Sequence, residues 1–78
     1  MPRERHPASV EVGNRVRALR KAMNMAQDDL AEKAGVHRTQ IGHVEQGTRD
    51  LRLSTLRKVA FALGVDAGEL IAGIPGPP

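Results

Sequence analysis

Apolar residues recur along the chain at the spacing of an amphipathic helix. The first stripe lies at positions i, i+4, i+7 and i+11 and consists of Val12, Val16, Leu19 and Met23. This periodicity predicts a helix over about residues 9–23, with Ser9 as its N-cap. Because the stripe is one-sided, one face of this helix is expected to be buried in a core.

Four shorter helices follow with the same periodicity. The second is predicted over residues 27–34 and the third over about residues 38–46, each followed by a glycine as a helix stop. A fourth begins near Leu53 and ends at Gly64, and Asp66 is expected to cap a short fifth helix. The residues predicted to face inward on these helices are Leu30, Ala31, Ala34, Ile41, Val44, Leu53, Leu56, Val59, Ala60, Leu63, Leu70 and Ile71. Since no segment predicts a strand, the expected fold class is all-α, a compact domain of five helices.

Proline and glycine mark the two ends of the predicted domain. We interpret residues 1–8 as a flexible N-terminal arm, residues 9–73 as the folded domain and residues 74–78 as a Pro/Gly-rich tail that cannot continue a helix. A chain of 78 residues forms one small domain with a modest core. Efficient helix packing or oligomerisation is therefore expected to contribute to its stability.

The composition argues against several kinds of chemistry. The chain has no cysteine, and its three histidines lack the i, i+4 spacing of a helical metal site. It also lacks a Ser–His–Asp arrangement and a phosphate-binding glycine loop, so we expect no enzymatic activity, no cofactor and no metal. No apolar run approaches the ~20 residues that span a bilayer, and the N-terminus lacks the apolar segment of a secretory signal. We expect a cytoplasmic protein that has no membrane segment and no small-molecule ligand domain.

The third predicted helix has a polar face suited to a polyanionic partner. The net charge of +3 is compatible with nucleic-acid binding, although many basic proteins lack that function. At about 100° per residue, Ile41 and Val44 define the buried side of this helix. The residues on its outward side are Arg38, Thr39, His43 and Gln46. Such groups suit base edges, since arginine pairs with guanine and glutamine with adenine, but a solvated helix face has the same polarity.

From Val12 to Ile71 the chain resembles the helix-turn-helix family of the phage Cro and cI repressors (XRE type). The residues that carry the resemblance are RVRALR at 15–20, M-x-Q-x-x-LA-x-x-AGV at 25–36, I-x-x-VE-x-G at 41–47, L-x-x-L-x-x-VA-x-x-LGV at 53–65 and EL at 69–70. Within that family, small restriction–modification controller proteins have this size and a similar run near Arg38, Thr39, Arg49 and Leu51. The resemblance implies a lambda-repressor-like DNA-binding fold.

The resemblance also implies how such a domain contacts double-stranded DNA. In this family the third helix enters the major groove, where its first residues and one residue a turn later touch bases. The positions that match here are Arg38, Thr39, Gln40 and His43. The residues expected to contact phosphates are Gln27, His37, Gln46, Thr48, Arg49 and Arg52. The expectation is a bacterial or phage transcriptional regulator, associated with the nucleoid when it is bound.

Two further features concern how the helices begin and how the third helix is held. Arg20 and Glu45 each lie about 70° from the buried centre of their own helix, so an ion pair between them is expected. Family members also commonly have such a pair. Where the family often has a serine cap, this chain carries Ala26, His37 and Arg52. We hypothesise that His37 and Arg52 exchange the capping bond for a phosphate contact.

The single aromatic residue, Phe61, lies about 150° from the apolar side of the fourth helix. It is expected to pack against the N-terminal arm or against a second subunit. Related regulators dimerise through the last helix and its flanks, which implies a homodimer that binds inverted repeats. The candidate interface residues are Phe61, Leu70, Ile71 and Ile74. The alternative is an antitoxin or protein-docking module of the same fold, whose main partner is another protein.

Overall fold

The computed structural model describes residues 7–74, most of which lie in five α-helices. The helices are α1 (Pro7–Ala22), α2 (Gln27–Ala34), α3 (Arg38–Gln46), α4 (Leu53–Leu63) and α5 (Ala67–Ile71). The described residues contain no strand, so the predicted all-α class and the order of five helices are confirmed. Within this range no helix is long and apolar enough to cross a membrane, and no group of His, Asp and Glu could hold a metal ion.

Helix α1 begins earlier than its apolar stripe predicts. Pro7 is its first residue, a position that suits proline because its fixed φ matches the helix and its missing N–H would lack a partner there. Ser9 therefore lies inside the first turn and is buried, so its predicted role as N-cap is wrong. Pro7 and Ala8 of the predicted arm are helical, and residues 1–6 and 75–78 lie outside the described residues.

Every helix contributes to one core. Its largest fully buried side chains are Val16, Leu30, Ile41, Val59 and Leu70, one from each helix. Burial of a side chain of this size stabilises the fold by about 1.5–3 kcal/mol relative to exposure. Helix α1 packs most extensively against α3, while α2 bridges α3 and α4, and α5 covers the ends of α1 and α4. The core therefore fixes α3 on its inner side.

Three apolar residues that were predicted to face inward lie at the surface. Leu53 is 70% exposed, Ile71 is 49% exposed and Met23 is 42% exposed. Leu53 is the first residue of α4, Ile71 the last of α5, and Met23 follows the end of α1. The helical period gives the direction of a side chain, but at helix ends no neighbouring element covers that direction. Phe61, predicted to point away from the core, is 84% exposed.

Two glycines allow α1 to approach α3 closely. A Cβ atom on Gly13 would lie 2.7 Å from the carbonyl oxygen of Glu45 and closer still to that of Val44. Gly47 ends α3 with a positive φ of 67°, and a Cβ atom there would lie 2.6 Å from the backbone nitrogen of Val10. Both positions therefore require a residue without a side chain, and together they fix α1 across the C-terminal half of α3.

Candidate nucleic-acid interface

The inner side of α3 is anchored by the carboxylate of Glu45, whose side chain is fully buried. Arg20 of α1 forms a bidentate ion pair with this carboxylate. Its Nε lies 2.6 Å from Oε2 and its Nη2 lies 3.0 Å from Oε1. Its remaining guanidinium nitrogen, Nη1, donates to the carbonyl oxygen of Met25 at 2.8 Å. The structure therefore contains the ion pair predicted between Arg20 and Glu45, and its planar geometry fixes the two helices relative to each other.

Two more donors share the Glu45 carboxylate. The amide Nε2 of Gln27 donates to Oε1 at 3.1 Å, and Nε of Arg17 lies 3.5 Å from the same oxygen. Gln27 opens α2, so the carboxylate joins α1, α2 and α3. Gln27 was predicted to contact a phosphate. In the structure one of the two Nε2 hydrogens of Gln27 is donated to Glu45 of α3. The second hydrogen remains available for a phosphate contact.

The groups around the Glu45 carboxylate determine the charge state of the Arg20–Glu45 pair. Burial alone would raise the pKa of Glu45. The hydrogen bonds from Arg20, Gln27 and Arg17, together with the positive charge of Arg20, outweigh burial and lower that pKa. The hydrogen bond to Glu45 correspondingly raises the pKa of Arg20. Both groups therefore stay ionised at neutral pH. A buried pair of this kind defines geometry more than it adds stability, and loss of either partner leaves an uncompensated charge.

The outer side of α3 carries the residues predicted to contact bases. Arg38, Thr39 and Gln40 are exposed on its first turn, and His43 is half-buried one turn later. Arg38 reaches back to α2, where its Nε lies 3.5 Å from Oδ1 of Asp28. Gln46 is also exposed, at the far end of the helix. The helix thus separates an anchoring side from a side rich in hydrogen-bonding groups.

The first turn of α3 is capped by a histidine. The ring nitrogen Nδ1 of His37 accepts a hydrogen bond from the backbone N–H of Thr39 at 3.1 Å. In return, the backbone N–H of His37 donates to Oε1 of Gln40 at 3.4 Å. The hypothesis that His37 gives up the capping bond is wrong, because its ring provides an acceptor in place of serine. That bond places the ring proton on Nε2, which remains available to a phosphate.

The other residues predicted to contact phosphates divide into two groups. Arg49 and Arg52 are exposed in and after the loop that follows α3. With Gln40 and His43 they line a shallow recess of about 200 Å³ beside α3. The hydroxyl oxygen of Thr48, in contrast, is buried and has no hydrogen-bond partner among the described residues. The phosphate contact of Thr48 therefore stays a prediction, and in this conformation the hydroxyl does not reach the surface. Arg52 precedes α4 without forming a side-chain cap, as expected.

The predicted dimer residues do not all lie at the surface. Phe61 is 84% exposed on α4, Ile71 is 49% exposed on α5, and Ile74 is half-buried after it. Leu70 is fully buried within the core of this chain, so its prediction as an interface residue is wrong. Its inward orientation follows from α5 packing against α1 and α4.

Several of these contacts were not predicted residue by residue from the sequence. The roles of Gln27 and Arg17 at Glu45 depend on the close approach of α1 to α3, which Gly13 permits. A glycine inside a helical pattern does indicate a close contact, and Gly13 is such a glycine. The pairing of Arg38 with Asp28 depends on the angle between α2 and α3, which the period of apolar residues does not report.

Comparison with known proteins agrees with this architecture. A family model described as helix-turn-helix matches residues 16–70. The control protein C.BamHI of Bacillus amyloliquefaciens is 40% identical over 60 residues, covering 76% of this chain and 74% of that protein. The crystal structure of the restriction-modification controller protein C.AhdI from Aeromonas hydrophila superimposes with a TM-score of 0.79 at 37% identity, covering 83% of this chain and 98% of that one.

A further solved structure includes DNA. A variant of the controller protein C.Esp1396I, bound to its highest-affinity operator site, is similar with a TM-score of 0.74 and 26% identity, covering 83% of this chain and 86% of that one. The resemblance drawn from the sequence is thereby confirmed. The chain belongs to the helix-turn-helix family of the Cro and cI type, and restriction-modification control proteins are among its relatives.

Proposed function

We propose that this protein is a sequence-specific regulator of transcription that binds double-stranded DNA with α3 in the major groove. The observation that carries the proposal is the two-sided construction of α3. Its inner side is fixed by Ile41, Val44 and the buried carboxylate of Glu45, while its outer side presents exposed polar groups. An element held this rigidly places its side chains against base edges without having to be ordered on binding.

The exposed groups have distinct capacities for reading bases. The guanidinium of Arg38 suits the two acceptors O6 and N7 of guanine, and Thr39 offers both a hydroxyl and a methyl group. Gln40 uses its carbonyl oxygen to cap α3, so its amide group is left to donate to a base acceptor. His43 completes the set one turn later. A similar controller protein is bound to its operator in a solved structure, which supports DNA binding by this chain.

The contacts to phosphates are proposed for exposed groups on either side of α3. Arg49 and Arg52 follow the helix, the Nε2 proton of His37 precedes it, and Gln46 lies at its end. Each such contact releases condensed counterions and makes affinity depend on salt. These contacts fix the register of the protein on the duplex, and the reading of sequence is left to the base-contacting residues of α3.

The regulator is proposed to act as a homodimer. One short helix reads few base pairs, and two-fold pairing joins two half-sites about one helical turn apart. The exposed side chains of Phe61 and Ile71, with half-buried Ile74, form the proposed apolar interface. The same surface would serve the alternative function, docking of an unrelated protein such as a toxin, and the exposure of Phe61 is what favours that alternative.

Selection of bound sites from a random duplex library, at a fixed salt concentration, tests the proposal. We expect an inverted repeat with half-site centres about 10–11 base pairs apart, or a multiple of that distance. Arg38→Ala should abolish the preference at one base pair, whereas Lys58→Ala removes the same charge from the surface of α4 and should retain it. Recovery of DNA without any enriched sequence would overturn the proposal. Failure to bind DNA, with a defined complex formed by another protein, would favour the alternative.

A further inference from the structure

Arg38 and Asp28 meet across the junction between α2 and α3. Arg38 is the first residue of α3, and Asp28 is the second residue of α2. The Nε atom of Arg38 lies 3.5 Å from Oδ1 of Asp28. The two side chains are 66% and 68% exposed, so the pair lies at the surface, beside the face of α3 proposed to enter the major groove.

The atoms involved decide what the pair can do. A guanidinium has donors along two edges, one formed by Nε with one terminal nitrogen and one formed by the two terminal nitrogens. Asp28 approaches the Nε atom, which leaves the terminal edge of Arg38 free. That edge is the one that can bind O6 and N7 of a guanine together. The carboxylate therefore restricts the rotamers of Arg38 without occupying the donors needed for a base.

The ion pair between Arg38 and Asp28 is not explained by a contribution to the stability of the fold. An ion pair this exposed contributes little to the free energy of folding, because solvent screens the charges and the long arginine side chain loses freedom. Near DNA, moreover, a carboxylate at this position repels phosphates and weakens binding that is independent of sequence. A group that opposes general binding but orients a base-reading arginine increases the difference between specific and non-specific affinity.

We propose that Asp28 is a specificity-determining residue that positions Arg38 for one base pair of the operator. The inference rests on the proposed function, since it requires that Arg38 reads a base. Asp28 itself makes no contact with that base. It acts through Arg38, both by orienting the guanidinium and by competing with phosphates for its Nε donor.

The test measures discrimination at single base pairs. The operator recovered by site selection with the wild-type protein is compared with duplexes that carry one base-pair change each, using fluorescence anisotropy at fixed salt. With Asp28→Asn, we expect discrimination to fall about fivefold at the base pair read by Arg38 and to stay unchanged elsewhere. Affinity for unrelated DNA should rise. Asp28→Glu keeps the carboxylate and should retain the discrimination.

The matched control is Glu32→Gln. Glu32 is exposed one turn further along α2, so the variant makes the same change in net charge away from Arg38. It should raise affinity for unrelated DNA without loss of discrimination at any base pair. In an Arg38→Ala background, Asp28→Asn should produce no further loss, because two residues that act through one contact are not additive. Thermal unfolding followed by circular dichroism confirms that each variant is folded.

Three outcomes would overturn the inference alone: unchanged discrimination in Asp28→Asn, an even loss at every base pair, or the same loss in Glu32→Gln. If the wild-type protein selects no sequence at all, the proposed function fails and the inference fails with it. The two failures are therefore distinguished by the wild-type selection itself.

Discussion

Gly13 lies where α1 crosses α3, and Gly13→Ala measures how closely the two helices must approach. The added Cβ atom would lie 2.7 Å from the carbonyl oxygen of Glu45 and closer to that of Val44, whereas such C···O contacts normally exceed about 3.3 Å. Both obstructing atoms belong to the backbone, so they cannot rotate away and the helices must separate. Overpacking of this kind costs about 1–3 kcal/mol, and the upper end applies here.

Alanine also favours the helix, by about 1 kcal/mol relative to glycine. The expected net change is therefore a loss of about 2 kcal/mol in the free energy of unfolding, or about 10 °C in Tm for a domain of this size. The assay is urea and thermal unfolding followed by far-ultraviolet circular dichroism. Gly42→Ala is the matched control, because Gly42 is also helical but nothing lies within 4 Å of its added Cβ.

The control should gain the helix propensity without the clash, so its Tm should rise by about 5 °C. The reasoning is refuted if Gly13→Ala stabilises the protein as Gly42→Ala does, since the two helices would then tolerate a wider separation. We also expect Gly13→Ala to weaken specific DNA binding beyond its effect on stability. The displaced atoms belong to α3 itself, so their movement changes the position of the base-reading residues.

Three further predictions concern the ion pair, a cap and the apolar surface. Glu45→Gln leaves the buried charge of Arg20 uncompensated and should lower the unfolding free energy by about 3 kcal/mol or more at pH 7. The pKa of Glu45 is lowered in the folded state, so the ionised carboxylate stabilises the fold above its unfolded pKa. The difference in unfolding free energy between wild type and Glu45→Gln should therefore narrow as the pH falls from about 5. A difference that does not vary with pH contradicts this prediction. Arg52→Ser should raise stability by about 1 kcal/mol through capping of α4, while lowering DNA affinity and its salt dependence. Unchanged affinity in Arg52→Ser would rule out its phosphate contact. Phe61→Ser should shift the sedimentation equilibrium from dimer to monomer, and a wild-type protein that sediments as a monomer at micromolar concentration contradicts the proposed interface.

The sequence predicted α2, α3 and α4 closely because their apolar residues follow the helical period and a glycine ends each of them. Gly35 and Gly47 adopt the left-handed conformation that such helix ends require. The same logic placed Arg20 and Glu45 beside the core and so anticipated their ion pair. These features depend on local spacing alone, which is why a single sequence suffices to predict them.

The remainder depends on distances between helices, which local spacing does not determine. The burial of the Thr48 hydroxyl and of Leu70 results from the path of the chain after α3 and after α4. The capping of α3 by His37 was missed for a different reason. Histidine is not among the usual capping residues, and only the rotamer of its ring reveals that Nδ1 faces the helix.

The two sides of α3 differ in how well they tolerate amino-acid substitution. The residues that anchor the helix, Ile41, Val44 and Glu45, are buried, whereas Arg38 and Thr39 on its first turn contribute almost nothing to the core. Surface substitutions of that kind usually alter stability by no more than about 0.5 kcal/mol. Preference for one operator can therefore diverge between related proteins while the scaffold stays intact. The same separation makes the first turn of α3 a natural segment to randomise when new DNA targets are sought.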